Sequence, residues 1–302
     1  MRYVIRRAVL DSCTEVPITA DDFGSLVQAR GILTAALAIE EKYALLVANY
    51  LDLEKRLLEI AAVNSVSFNF SYPSIFDSRT SLNICMVNLL TGARMYLDHI
   101  LQDVADCVLQ EDEGAKMVKA RCSKEYGEHL EYRFMEALRN HVQHRGMAVH
   151  GVTMPSQWGT YEGDEVLEYS VTLYALRKVL AQDKKFKRSV LADLPERIDL
   201  LSAARRYVES LSGINEFVRE TIAEPVTEAR AAIERARHGF AAVTDESLIG
   251  LEAAKFDGPQ RTASVALLLD WDDVRTDLRK RNRKLVNLGK RMISSRVHHA
   301  RS

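Results

Sequence analysis

The sequence predicts an all-α protein: a helical bundle with a helical C-terminal extension and room for one short strand or hairpin. Three observations lead there. The 302 residues include only 14 glycines and 6 prolines, few breakers for that length. Apolar residues recur at steps of three and four over long stretches, the period of a helix with one buried face. Hydrophobic residues make up 47% and charged residues 27%, enough for a packed core and against disorder. The length suits one large domain or two modest ones. Three parts are expected: an N-terminal segment at 1–21, a helical domain at 22–191, and a helical C-terminal region with a basic tail at 192–302.

The first 22 residues look irregular, with a short strand at 3–9. Asp21 and Asp22 can accept hydrogen bonds from free N–H groups, so the first helix starts there and runs to about 63. Leu26, Ile32, Leu33, Leu37, Tyr43, Leu46, Tyr50, Leu53, Leu57 and Ile60 form its stripe, with Gly31 as a point of bending. Serines, aromatics and Pro73 make 64–77 a loop. A second helix begins at 78 or 80 and reaches about 109, with Leu82, Val87, Leu90, Met95, Leu97, Leu101, Val104 and Val108 as its stripe. An acidic turn at 110–114 and a short helix at 115–124 precede a third long helix at 125–145. Leu130, Phe134, Ala137, Leu138 and His141 share one face of it, and Gly146 can take the left-handed geometry that ends helices. Residues 147–164 form a loop. Residues 168–174 alternate and fit either a strand or a helix start. A helix at 177–191 and a long amphipathic one from 196 or 198 to 237 follow, with Pro225 kinking or splitting the second. Residues 239–270 carry mixed signals around the turn Asp257-Gly258-Pro259, and 271 onward is a basic helix with a loose tail.

Net charge is −1, but its distribution is uneven. Nine Lys or Arg and no Asp or Glu lie between Arg279 and Ser302, leaving 32 basic and 42 acidic residues elsewhere. A basic tail on an acidic body can contact nucleic acid or its own body. Cys13, Cys85, Cys107 and Cys122 are scattered with no C-x-x-C pair, the pattern of reduced cysteines in an intracellular protein. The N-terminus has no long apolar core, and no run of 18 apolar residues exists. The expectation is a cytoplasmic protein without a signal peptide or a membrane span.

Chemistry concentrates in Arg139-Asn140-His141-Val142-Gln143-His144-Arg145-Gly146. Cleaving RNA without a metal or cofactor requires that the 2′-OH lose a proton, that the leaving 5′-oxygen gain one, and that the phosphate charge be stabilised. Histidine can move protons near neutrality. Arginine stays charged and offers a planar fork to phosphate oxygens. Residues five apart on a straight helix differ by about 140°, so Arg139 and His144 do not share a face, whereas Asn140 and His144, four apart, do. The arginine bends round, the helix loosens near its end, or a second copy completes the site. Structural roles compete with this reading: Arg139 can pair with Glu136 one turn earlier, and His144 can cap the helix end. Spacings of three and six in His141, His144 and His150 do not match a usual zinc pattern.

Arg139-Asn140-x-x-x-His144 late in a helix of a helical chain resembles the HEPN superfamily, the higher eukaryotes and prokaryotes nucleotide-binding domains. Its ribonuclease members carry Arg, four to six residues, then His, with a polar residue directly after the Arg. The resemblance covers about 22–191. It implies a helical bundle that dimerises to form one composite, metal-independent endoribonuclease site, often in a toxin or phage-defence effector with an antitoxin or regulatory partner. By that resemblance Arg139 and His144 are catalytic and Asn140 assists. Gly146 stands where toxins modified by a nucleotidyltransferase carry a tyrosine, which argues against that kind of antitoxin. Arg145, Arg279, Lys280, Arg281, Arg283 and Lys284 are the candidates for RNA contact. The alternative expectation is a non-catalytic RNA-binding or protein-interaction scaffold of the same fold.

Overall fold

A computed structural model describes residues 1–9, 14–67, 71–108, 113–161 and 163–293. In chain order the elements are β1 (Arg2–Arg7), β2 (Glu15–Pro17), α1 (Ala20–Ser67), α2 (Tyr72–Cys107), α3 (Glu113–Glu128), α4 (Leu130–His144), β3 (Gly151–Thr153), β4 (Ser156–Tyr161), β5 (Asp164–Tyr169) and β6 (Thr172–Leu176). They continue with α5 (Arg177–Leu180), α6 (Arg188–Asp193), β7 (Arg197–Asp199), α7 (Leu200–Thr221), α8 (Ala223–Val243), β8 (Leu251–Asp257), β9 (Gln260–Ala266) and α9 (Asp270–Arg281). Nine strands among the described residues, in three antiparallel sheets, correct the all-α expectation to a mixed α/β architecture.

The strands were hard to foresee for physical reasons. β3 and β7 are three residues long, too short for a two-residue period to register. β8 has the sequence Leu-Glu-Ala-Ala-Lys-Phe-Asp, rich in helix formers. It is a strand because it pairs on both sides, with β1 and β9, and buries Leu251, Ala253, Ala254 and Phe256. Here tertiary context overrides local propensity. Residues 177–191, expected as one helix, form two short ones, and the last helix ends at Arg281 with its C-cap at Asn282. The split expected near Pro225 falls at Ile222, which leaves the proline in the first turn of α8, where its missing N–H costs nothing. Pro73 likewise sits in the first turn of α2, so helix covers most of the stretch expected to be a loop.

Two compact units form from interleaved stretches of chain, and α1, α2, α3 and α7 contribute residues to both. The first comprises 1–45, 95–121 and 216–283. Its four-stranded sheet has the order β2-β1-β8-β9. Val4, Ala254 and Phe256 cluster on it, and the Tyr3 and Phe23 rings meet at 5.5 Å between centroids. Its helical core contains Leu33, Ile39, Tyr43, Tyr96, Ile100, Ile233 and Phe240. A fully buried ion pair runs through that core: Arg219 donates from Nε and Nη2 to both oxygens of Glu40, at 2.8 and 2.6 Å.

The second unit comprises 46–94, 122–215 and 284–302. It holds the sheet β3-β6-β7 and the two-stranded ribbon β4-β5; β3 and β4 fall in the expected loop, the end of β5 and most of β6 where a strand was one of two expectations, and β7 at the start of an expected helix. Its helical core contains Leu46, Leu53, Leu82, Met86, Leu89, Phe134, Leu138, Tyr207 and Leu211. Each fully buried side chain of this size adds about 1.5–3 kcal/mol relative to an exposed one. Glu54 ties α1 to α7 by a bidentate pair with Arg205 at 2.7 and 2.8 Å and also accepts from the Tyr50 hydroxyl.

Candidate functional site

The Arg139–His144 motif lies in α4 of the second unit, and its setting follows from the faces of that helix. Phe134, Met135, Ala137, Leu138 and His141 are buried, which leaves Asn140, Gln143 and His144 exposed. The helix remains regular through His144. Beyond it, Arg145 and Gly146 both donate their N–H groups to the His141 carbonyl, at 2.8 and 3.2 Å. Unwinding between Arg139 and His144, one of the routes to a shared site, therefore does not occur.

Arg139 Nη1 donates to Asn140 Oδ1 at 3.0 Å, which draws the guanidinium toward the exposed face that Asn140 shares with His144. The alternative partner, Glu136, is engaged elsewhere: it accepts from the Tyr207 hydroxyl and lies 3.5 Å from Arg94. Arg139 forms no ion pair with a described residue, and its Nε is buried without a hydrogen-bond partner. With Nε enclosed, the Nη side of the guanidinium is the part open to an anion. His144 likewise forms no hydrogen bond with a described residue, so neither ring nitrogen is committed.

His141 is different from His144 in every respect. It is 6% exposed, and its Nδ1 lies 2.9 Å from Asp183 Oδ2. The hydrogen bond from His141 and that from the Lys185 N–H hold the Asp183 carboxyl below the usual carboxylate range. Phe186 packs its ring edge-on against His141 at 6.1 Å. Gly146 does not take the left-handed φ expected of a helix stop; among the described glycines only Gly163, Gly250 and Gly258 have positive φ. Its small size serves a different need, because a Cβ there would lie 2.8 Å from His141 Nε2.

Two further residues fix the segment after the motif. Asn83 grips the backbone of Val149 in both directions, donating to its carbonyl at 3.1 Å and accepting from its N–H at 2.8 Å. His150 accepts at Nδ1 from the Leu176 N–H at 2.8 Å, and its Nε2 lies 3.1 Å from the Met147 carbonyl. Burial pushes its pKa below the ordinary histidine value, with smaller effects from Met147, His141 and Arg79. Sequence reading singles out neither Asn83 nor Asp183, and weighs His150 only as a metal ligand. Asn83 had a usable signal: the buried face of α2 runs through Leu82, Met86, Leu89 and Ala93, and a polar residue beside it at 7% exposure marks a satisfied contact.

The expected RNA contacts fall in both units. Arg145, in the second, is about half exposed, with Nε 3.7 Å from Asp183. Lys284 is exposed and also belongs to the second unit. Arg279, Lys280, Arg281 and Arg283 belong to the first, at and just beyond the end of α9. Among the described residues, no group of three or more His, Cys, Asp or Glu is placed to hold a metal ion. No described helix is long and apolar enough to cross a membrane. No family model, curated protein or solved structure matches the chain.

Proposed function

We propose that the protein is a cytoplasmic, metal-independent RNA endonuclease whose reacting groups are Arg139 and His144, with Asn140 setting the arginine. The observation that carries this reading is the Arg139 guanidinium: bonded to Asn140 and without a carboxylate, on a helix whose exposed face carries Asn140 and His144. A guanidinium without a carboxylate partner keeps its charge for a phosphate, which can accept from the Nη groups. The C-terminal end of a helix is negative and disfavours an anion, so Arg139 and Arg145 supply the compensating charge.

In this scheme Arg139 holds the scissile phosphate and stabilises the added charge as the 2′-oxygen attacks phosphorus. His144 takes the 2′-OH proton or gives one to the leaving 5′-oxygen. One histidine serves one of these two steps. A second copy of the chain supplies the other, which accords with the composite site implied by the resemblance to HEPN ribonucleases. The products are a 2′,3′-cyclic phosphate and a 5′-OH.

The test is incubation of the pure protein with end-labelled RNA in excess EDTA, followed by analysis of the new ends. Cleavage with cyclic phosphate ends, and none of DNA of the same sequence, supports the proposal. Absence of cleavage across several RNAs that the protein binds defeats it and leaves the scaffold reading.

A further inference from the structure

A groove of about 410 Å³ in the first unit has no part in that scheme. Its walls are stripes of two helices. Val226, Arg230 and Glu234 on α8 face it at four-residue steps, as do Arg275 and Arg279 on α9. An inward-facing stripe is normally apolar. That of α9 is not: its buried residues are Asp272 and Arg275, at 0% and 8% exposure.

These charges brace one another. Asp272 accepts from Arg275 Nε and Nη2 at 2.6 and 3.0 Å and from Arg230 Nη1 at 2.6 Å. Burial acts to raise its pKa, but the hydrogen bonds and charges of the two arginines outweigh it, and the carboxyl stays ionised below its usual range. The carboxylates around the groove are therefore already answered by cations. What the groove offers an anion is not a large net charge but N–H donors held in place. Arg279 is the exception to the bracing, since it forms no ion pair or hydrogen bond with a described residue. Arg275 and Arg279 are about 6 Å apart along the helix axis, so their forks can converge on one anion. A planar carboxylate fills one fork, whereas the three terminal oxygens of a phosphate monoester can accept from two. Beside these donors Ile222, Val226 and Ala36, each largely buried, give the groove its apolar edge.

We infer that this groove binds a small phosphate monoester with an apolar body, the phosphate on Arg279 and the free edge of Arg275, the body on Ile222 and Val226. The volume lies in the range of small-molecule sites, about 300–1,000 Å³, and the mixed lining is typical of them. The inference gives Arg279, expected from sequence to contact RNA, a different ligand, and it does not depend on Arg139 or His144.

Calorimetric titration of the full-length protein tests it, with phenyl phosphate, inorganic phosphate, benzoate and phenol as probes. Saturable binding of phenyl phosphate, weaker binding of inorganic phosphate and none of phenol or benzoate are expected. Arg279→Ala, at an exposed position that leaves the braced pairs intact, should weaken phenyl phosphate by about tenfold or more. His144→Ala should bind it like wild type, whatever becomes of RNA cleavage. The inference is overturned if phenyl phosphate gives no saturable signal, if benzoate binds equally well, or if Arg279→Ala leaves the affinity unchanged.

Discussion

Replacing Gly146 by alanine separates a general rule from a specific contact. At a position without positive φ, Gly→Ala commonly stabilises by about 0.4–1 kcal/mol, because it restricts the unfolded chain. At Gly146 the new Cβ would stand 2.8 Å from His141 Nε2 and 3.4 Å from Cε1. Carbon contacts are optimal near 3.5–4.0 Å. The ring has little freedom to retreat: it is 6% exposed, bonded to Asp183 at 2.9 Å and flanked by Phe186. Overpacking of this kind costs about 1–3 kcal/mol, which exceeds the entropic gain. A net loss of about 0.5–2 kcal/mol is expected, read as a lower urea midpoint at unchanged m-value. In a His141→Ala background the clash is gone, and the same substitution should become neutral or stabilising. A stabilising Gly146→Ala in the wild type, or an equal penalty in both backgrounds, would refute the role assigned to this contact.

Three other outcomes follow from the same geometry. Asn83→Leu should destabilise by about 1–3 kcal/mol in urea unfolding, because it leaves the Val149 N–H and carbonyl buried and unpaired. Glu40→Gln should cost up to about 3–5 kcal/mol, because it leaves the buried Arg219 charge with only the 3.4 Å contact to Glu216, while joint replacement of Glu40 and Arg219 by apolar residues should cost much less. The third concerns acid. His150 has a folded pKa below its ordinary value, so its contribution is complete above the ordinary histidine range and is lost as pH falls through the folded value. Protonation at Nδ1 also ends the bond from the Leu176 N–H. Stability measured at pH 7.5 and 5.5 should therefore fall by up to about 1 kcal/mol more in wild type than in His150→Asn, whose amide oxygen can still accept that bond.

Long helices were legible because the signal repeats. Over the 48 residues of α1, every expected stripe residue except Leu37 is buried. In α2 Leu82, Leu90 and Val104 are buried as expected, but Val87, Met95, Leu97, Leu101 and Val108 lie one residue from the buried Met86, Tyr96, Ile100 and Cys107, and a one-residue shift turns a helix face by about 100°. That shift hid Asn83. The motif itself was visible, since Arg139, Asn140 and His144 are close in sequence and their face relation follows from helical pitch. Asp183 was not, because it meets His141 across 42 residues and a broken helix that periodicity reads as continuous. Gly146 was noticed for the wrong property: the chain needs its missing side chain there, not its freedom at positive φ.

The central claim rests on Arg139 and His144 acting on RNA, and single-turnover cleavage in excess EDTA tests it most directly. With a substrate that wild type cuts, His144→Ala should slow the reaction by about 100-fold or more, the scale of a lost proton-transfer group. Arg139→Ala should do at least as much, and Arg139→Lys should recover only part, because a lysine lacks the planar fork. Circular dichroism and urea midpoints should stay near wild type for His144→Ala, whose side chain has no partner among the described residues. Cleavage by His144→Ala or Arg139→Ala at the wild-type rate would contradict the account.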